Sequence, residues 1–150
     1  MPEKNWTFEE IEALYRQFNP GAIDGGGKKV VVGDSSPQIR STLISALENK
    51  GFEVFSGDSG LTVLRQIREK QPDCCLLDVA LGQVGGLDIL EALKKDPRYA
   101  AMPVIILSAR REKRDILVAQ KLGAAAFIGK PFQMEEVLRR VDELCGAAKR

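Results

Sequence analysis

The feature that most constrains the fold is a regular alternation of short apolar runs with amphipathic stretches, which begins near Lys28. Each apolar run is long enough only for a buried strand, and each amphipathic stretch carries apolar residues at helical spacing. The predicted strands are residues 29–33, 52–56, 73–77, 103–107 and 125–128. The predicted helices are residues 37–50, 59–70, 86–95, 112–122 and 133–145.

This alternation predicts an α/β domain with a parallel sheet covered by helices on both faces. Strands that are joined by helical crossovers run parallel, and the apolar runs lack the strict alternation of a strand with one wet face. The 150 residues of the chain are enough for one such domain with a well-developed core.

The first part of the chain does not follow this alternation, and we expect residues 1–27 to form a helical extension ahead of a domain at residues 28–150. Thr7 and Glu10 match a capping box. Residues 19–21 end the predicted helix, and residues 25–27 are read as a flexible glycine link. The apolar residues at helical spacing are Phe8, Ile11, Leu14, Tyr15 and Phe18.

An amphipathic helix with an aromatic face is costly to leave in water. We therefore expect this extension to pack on its own domain, to bind a partner or to bind a second copy in a homodimer, rather than to be a loose tail. The sequence does not decide among these roles.

The composition excludes several classes of function. The chain contains no His, which excludes His-based catalytic triads, HExxH zinc sites and a phosphohistidine carrier. Its formal net charge of +1 argues against a protein that binds nucleic acid directly, because such binding requires a basic surface. The apolar runs fall short of the roughly 20 residues that span a bilayer, and the N-terminus lacks a signal-peptide pattern.

The three cysteines do not resemble a disulfide framework, and they predict a reducing, cytoplasmic location. Cys74 and Cys75 are adjacent in a predicted strand, so their side chains point to opposite faces and are expected to be core residues rather than a redox pair. Cys145 lies on the last predicted helix and is expected to be inert.

The residues just after each predicted strand lie where open parallel sheets bind their ligands. They are Asp34, Ser35, Gly57, Asp58, Asp78, Ser108 and Lys130, and all but the glycine are polar. Carboxylates suit Mg²⁺, and a lysine with a hydroxyl suits phosphoryl oxygens. Asp78 is the natural phosphoacceptor, since aspartyl phosphates are known covalent intermediates. The alternatives are that Asp78 only caps a turn and that Asp58 only favours a helix dipole.

Four segments with this spacing resemble the receiver domain of two-component response regulators, over roughly residues 28–146. KKVVVGDSSPQIR is similar to the family's first strand and acidic loop, and CCLLDVALGQVGGLDIL to its phosphoacceptor segment. PVIILSAR is similar to the strand that ends in a switch Ser or Thr, and GAAAFIGKPF to the segment that ends in Lys-Pro. The fold implied is flavodoxin-like and doubly wound, with five parallel strands in the order 2-1-3-4-5.

The resemblance also implies a role for each matching residue. Asp78 accepts the phosphoryl group, Lys130 forms an ion pair with it, and Ser108 hydrogen-bonds it. Phe127 is the aromatic switch, and the Lys130–Pro131 bond is expected to be cis. The implied Mg²⁺ ligands are Asp34, Asp78, the backbone carbonyl of Ala80 and the residue at position 35.

Three positions depart from the family pattern. Ser35 occupies the place of a carboxylate that binds Mg²⁺ directly in the family, and its neutral hydroxyl is a poorer ligand. Gly82 and Gly85 replace a common Pro and a common acid or amide, and they predict a looser loop. These departures motivate an alternative, a pseudo-receiver that docks proteins without phosphorylation. A third alternative is a small enzyme on a flavodoxin-like scaffold. The sequence argues against it, because it contains neither a cofactor-binding loop nor a His that could act as an acid or base.

The function predicted from the sequence is that of a single-domain response regulator in a phosphorelay. A sensor histidine kinase or phosphotransfer protein would supply the phosphate to Asp78. A protein-binding face built from the fourth helix, the fifth strand and the last helix would then change its preference for a downstream partner. Its only catalysis would be its own phosphorylation and dephosphorylation. The sequence identifies neither the cognate kinase, nor the output partner, nor the oligomeric state.

Overall fold

A computed structural model describes residues 5–11, 14 and 23–146 of the protein. Its strands are β1 (Lys29–Gly33), β2 (Glu53–Gly57), β3 (Cys74–Asp78), β4 (Val104–Ser108) and β5 (Ala126–Gly129). The helices that follow them are α1 (Pro37–Asn49), α2 (Gly60–Lys70), α3 (Gly86–Lys95), α4 (Lys113–Lys121) and α5 (Met134–Cys145). All strand pairs are parallel, and the order β2-β1-β3-β4-β5 confirms the predicted topology.

Four of the strands begin and end one residue later than the sequence predicts. For β3, β4 and β5 the prediction ended at the last apolar residue, whereas the ladder depends on main-chain groups and continues one residue further. Asp78 is still paired with Leu107, and Ser108 is still paired with Gly129. These two polar side chains therefore belong to rigid strand ends rather than to loops.

Alternate residues of the strands form two separate core layers. Val30, Cys74 and Ile105 face a layer completed by α1 and α5, while Val31, Cys75 and Ile106 face a layer completed by α2, α3 and α4. Both faces of the central strands are buried, which accounts for the continuous apolar runs in the sequence. Because helices cover both faces, a functional site on this sheet is expected at the ends of the strands.

Among the described residues of the N-terminal segment, residues 8–11 and 14 are helical. The capping box is present, because Thr7 N donates to Glu10 Oε2 at 2.9 Å and Glu10 N donates to Thr7 Oγ1 at 3.1 Å. Phe8, Ile11 and Leu14 are exposed, with 74%, 50% and 39% of their surfaces accessible. The predictions for Tyr15, Phe18 and residues 19–21 fall outside the described residues.

The prediction of a flexible glycine link at residues 25–27 is wrong. Gly25 N donates to Lys50 O and Gly27 N donates to Gly51 O, so the glycines are bonded to the turn between α1 and β2. Gly25 is buried, and a Cβ there would lie 2.4 Å from Phe52 N. The glycine is required by this close approach of two main chains. A domain boundary between residues 27 and 28 stays a prediction.

Within residues 5–11, 14 and 23–146, no helix combines the length and apolar character that a membrane span requires.

Candidate phosphoacceptor site

The polar strand ends meet where the strand order reverses. β1 lies between β2 and β3. The connection from β1 to β2 therefore runs toward one edge of the sheet, and the connection from β2 to β3 crosses to the other side of β1. A crevice forms at such a switch point, outside the carboxyl ends of the strands. Asp34 directly follows β1, and Asp78 is the last residue of β3.

Lys130 joins these two carboxylates. Its Nζ lies 2.6 Å from Asp34 Oδ2 and 3.2 Å from Asp78 Oδ2. The Lys130 side chain is 16% exposed, while those of Asp34 and Asp78 are 1% and 8% exposed. One ammonium group thus compensates two nearly buried negative charges that are 44 positions apart in the sequence. The Lys130–Pro131 bond is cis, as predicted.

The position of Asp34 is fixed by two further hydrogen bonds. Its Oδ1 accepts the backbone N–H of Ser36 at 2.9 Å, and its backbone O accepts Arg40 Nη1 at 2.7 Å. Ser36 also caps α1, because its Oγ accepts the backbone N–H of Ile39 at 3.2 Å. The sequence analysis assigned no role to Arg40, although its place in the first turn of α1 directs its side chain back toward the loop.

Ser108 and Phe127 border one small cavity of about 140 Å³, which is also lined by Val79, the residue after Asp78. Ser108 is 4% exposed at the end of β4, and its Oγ accepts the backbone N–H of Arg110 at 3.0 Å. This bond occupies a lone pair of the hydroxyl and leaves its proton available as a donor. Phe127 is half-buried on β5 and packs against the layer of α2, α3 and α4.

The loop between β3 and α3 is held more firmly than its glycines predict. Gly82 O accepts hydrogen bonds from the backbone N–H groups of Gly60 and Val84, at 3.0 and 2.9 Å. Gly86 is buried, and a Cβ there would lie 2.3 Å from Asp78 O. Gly86 is therefore required by the approach of α3 to the end of β3. The positive φ in this loop belongs to Gln83, at 70°.

The residues at this edge fit a hard divalent cation by the chemistry of their donors. Asp34 and Asp78 supply two carboxylates, and Mg²⁺ usually binds one or two carboxylates together with water and phosphate oxygens. Ser35 and Ala80 are both exposed beside them. In the described part of the chain, no cluster of three or more His, Cys, Asp or Glu side chains is arranged to hold a metal ion.

Asp58, the remaining carboxylate in the predicted set, follows β2 and is exposed. Ser59, its neighbour, caps α2 by accepting the backbone N–H of Thr62 at 3.3 Å. The geometry thus brings Asp34 and Asp78 into direct contact with Lys130, and it leaves Asp58 exposed at the end of β2.

Comparison with known proteins agrees with this fold. The model of the response regulator receiver domain matches residues 30–142, and the chain belongs to this family. Receiver domains pair with histidine kinases and generally bind Mg²⁺ at their phosphorylation site.

Curated relatives include the transcriptional regulatory proteins KdpE of Mycobacterium tuberculosis and CreB of Escherichia coli. They are 37% and 36% identical to this chain over 112 residues, which is 75% of this chain and 48% of each relative. The DNA-binding response regulator MtrA of Mycolicibacterium smegmatis is 29% identical over 119 residues, or 79% of this chain and 51% of the relative. The chain spans about half the length of these relatives.

Solved structures of receiver domains have the same fold. The receiver domain of the Francisella response regulator 1452 superimposes with a TM-score of 0.74 at 27% identity, covering 78% of this chain and 95% of that one. The chemotaxis protein CheY4 of Vibrio cholerae superimposes with a TM-score of 0.73 at 23% identity, covering 78% of this chain and 98% of that one.

Proposed function

We propose that this receiver domain accepts a phosphoryl group on Asp78 from the phosphohistidine of a sensor kinase or a phosphotransfer protein. The observation that carries the proposal is the contact of one ammonium, Lys130 Nζ, with the carboxylates of both Asp34 and Asp78. This arrangement provides a nucleophile, a fixed cation and a second carboxylate at one strand edge.

The transfer follows from the positions of these groups. Lys130 contacts Oδ2 of Asp78, so we assign Oδ1 as the nucleophile that attacks phosphorus. The new O–P bond forms as the P–N bond to the donor histidine breaks, and the imidazole keeps the bonding electrons. Lys130 then faces an oxygen of the transferred group and stabilises the charge that develops there.

Asp34, Asp78 and the backbone carbonyl of Ala80 are the residues that would hold Mg²⁺, with the Ser35 hydroxyl as a weaker neighbour. When bound, the ion supplies positive charge for the phosphoryl oxygens. Arg40 acts as a positioning residue, because it fixes the backbone of Asp34 from α1.

The response to phosphorylation is proposed to pass through Ser108 and Phe127. A phosphoryl oxygen on Asp78 offers an acceptor for the Ser108 hydroxyl proton, and the cavity that both residues border gives the aromatic ring room to turn. The affected face consists of α4, β5 and α5, where Leu117 and Val118 are 47% and 46% exposed. A downstream protein, or a second copy of this chain, would read this face.

Phosphorylation is tested by intact mass after incubation with acetyl phosphate and Mg²⁺. The chain is expected to gain one phosphoryl group, Asp78→Asn is expected to gain none, and Asp58→Asn is a matched control that keeps the gain. A gain that persists in Asp78→Asn would contradict the assignment of the acceptor.

Ser35 supports a second candidate, a pseudo-receiver that docks proteins without phosphorylation, because it places a neutral hydroxyl where the family pattern has a carboxylate. Ser35→Asp restores that charge. If the natural chain gains no phosphoryl group and Ser35→Asp does, the docking function is favoured. If both react and Ser35→Asp requires less Mg²⁺, the phosphoacceptor function is favoured and the serine only weakens the metal site.

A further inference from the structure

Helix α4 carries a stripe of exposed side chains on the side turned away from the domain. Leu117 and Val118 are 47% and 46% exposed, and Arg114 and Lys121 are exposed about one turn before and one turn after them. Residues three or four apart share one side of a helix, and this side lies opposite Ala119, which is fully buried in the core. These four exposed residues, the α4 stripe, thus combine an apolar centre with a basic residue at each end.

The N-terminal helix has an exposed apolar face with acidic charge. Phe8, Ile11 and Leu14 recur at helical spacing, and all three are exposed. Residues 7–14, the N-terminal arm, contain three acidic residues, at positions 9, 10 and 12, and no basic residue. The arm is therefore complementary to the α4 stripe, because apolar side chains exclude water between two helices while opposite charges beside them select the partner.

Within one chain, the arm and the α4 stripe belong to opposite sides of the sheet. Ile23, which follows the arm in the chain, packs against the layer of α1 and α5, whereas α4 completes the other layer. Residues 15–23 span at most about 30 Å when fully extended. To reach the outer side of α4 in its own chain, this segment would have to pass round an edge of the sheet and over the helix. The stripe of a second copy can approach the arm without this constraint.

We propose that the N-terminal arm docks on the α4 stripe of a second copy, and that two chains exchange their arms in a dimer. One contact of two helical turns is small beside the roughly 1,200–2,000 Å² that specific interfaces bury. Exchange supplies two such contacts, and formation of the first makes the second intramolecular. Reciprocal contacts also close the assembly with two-fold symmetry, so that it ends at two chains. The contact uses the face that is proposed to respond to phosphorylation, but it does not require a phosphoryl group.

The unphosphorylated full chain is tested by sedimentation equilibrium from low micromolar to near-millimolar concentrations. The mass is expected to rise from one chain to two and to stop there. Phe8→Ser and Leu117→Ser should each raise the dissociation constant by at least about tenfold, because each removes an apolar side chain that the dimer buries. Leu61→Ser is the matched control, because Leu61 is 55% exposed on α2, outside the stripe, and should leave the dissociation constant unchanged.

Charge reversal tests which surfaces pair. Glu9→Lys with Glu12→Lys gives a basic arm, and Arg114→Glu with Lys121→Glu gives an acidic stripe. Each double variant alone should stay monomeric where the natural chain is dimeric, because like charges then face each other. An equimolar mixture of the two should form a heterodimer, because the basic arm then meets the acidic stripe and the acidic arm meets the basic stripe in the same complex.

Three results would each overturn the proposal. The first is a chain that stays monomeric at every concentration, because the arm would then pack on its own domain or bind a different partner. The second is a dimer that the Phe8 and Leu117 variants leave unchanged, or an assembly that grows beyond two chains. The third is a mixture of the two charge-reversed chains that does not associate. Failure of Asp78 to accept phosphate would alter none of these measurements, so the two proposals are tested separately.

Discussion

Replacement of Lys130 by Met removes the ammonium that contacts both carboxylates and tests the electrostatics of the site directly. At an effective dielectric constant of about 20, the attraction of unit charges is about 6 kcal/mol over the 2.6 Å to Asp34 and about 5 kcal/mol over the 3.2 Å to Asp78. Most of this attraction offsets the desolvation of the three groups, which costs several kcal/mol for each ion.

Removal of one partner from a buried ion pair leaves the other charge buried without compensation. This lowers the free energy of unfolding by about 3–5 kcal/mol. Lys130 keeps 16% of its side-chain surface, so we expect the lower end of this range, about 3 kcal/mol at pH 7. Urea unfolding measures this as a lower midpoint with an unchanged slope. Lys95→Met is the control, because Lys95 is 75% exposed in its ion pair with Glu91 and should change stability by less than about 0.5 kcal/mol.

Two further measurements separate charge from packing. Asp34→Asn should recover part of the loss when it is combined with Lys130→Met, because the excess negative charge is then reduced. Millimolar Mg²⁺ should stabilise Lys130→Met more than the natural chain, since a cation binding only the folded state raises its stability. A loss below about 0.5 kcal/mol, with no coupling between the two substitutions, would refute the assignment of Lys130 as the compensating charge.

The remaining predictions concern the frame around the site. Lys94 Nζ donates at 3.0 and 2.7 Å to two main-chain carbonyls between α3 and β4, so Lys94→Met should lower the free energy of unfolding by about 1–3 kcal/mol in urea titrations. Gly86→Ala should lower the free energy of unfolding by more than about 1 kcal/mol, because the new Cβ would collide with the main chain of β3. Gly82→Ala is the control, because a Cβ at residue 82 meets no other atom within 4 Å, and it should leave the free energy of unfolding unchanged or raise it by up to about 1 kcal/mol. Burial, together with neighbouring carboxylates, raises the pKa of Asp142 above its ordinary value of 3.8. The folded protein thus holds this proton more tightly than the unfolded chain does, and stability is lost as pH rises from 3.8 through the raised pKa. Asp142→Asn should therefore raise Tm slightly at pH 7 and leave it unchanged well below pH 3.8, which scanning calorimetry at the two pH values checks.

The sequence was sufficient to predict the sheet because both faces of the central strands are buried. Such strands appear as short apolar runs such as residues 30–32 and 74–77, and the helices between them show the spacing of one apolar face. The convergence of Asp34, Asp78 and Lys130 was also predictable, since parallel strands carry their carboxyl ends to one edge.

Other features depend on contacts between distant main-chain segments, which residue patterns do not show. The role of Gly25 follows from its approach to Phe52, and that of Gly86 from its approach to Asp78. In each case the sequence gives the residue type, but the partner is set by packing in three dimensions.

The energetic cost of the site bears on the choice between a phosphoacceptor and a docking-only module. Two carboxylates and an ammonium held at 16% exposure or less are expensive to desolvate, and apolar side chains of similar size often give a fold of equal or greater stability. A surface that only docks proteins has no need of Asp78 beneath it, because docking uses exposed groups. The buried charges are explained by chemistry at Asp78 more readily than by stability, and Ser35 removes only one charge from that chemistry. The buried carboxylates and ammonium are therefore an argument for the proposed phosphorylation, with a weakened metal site, over the docking-only alternative.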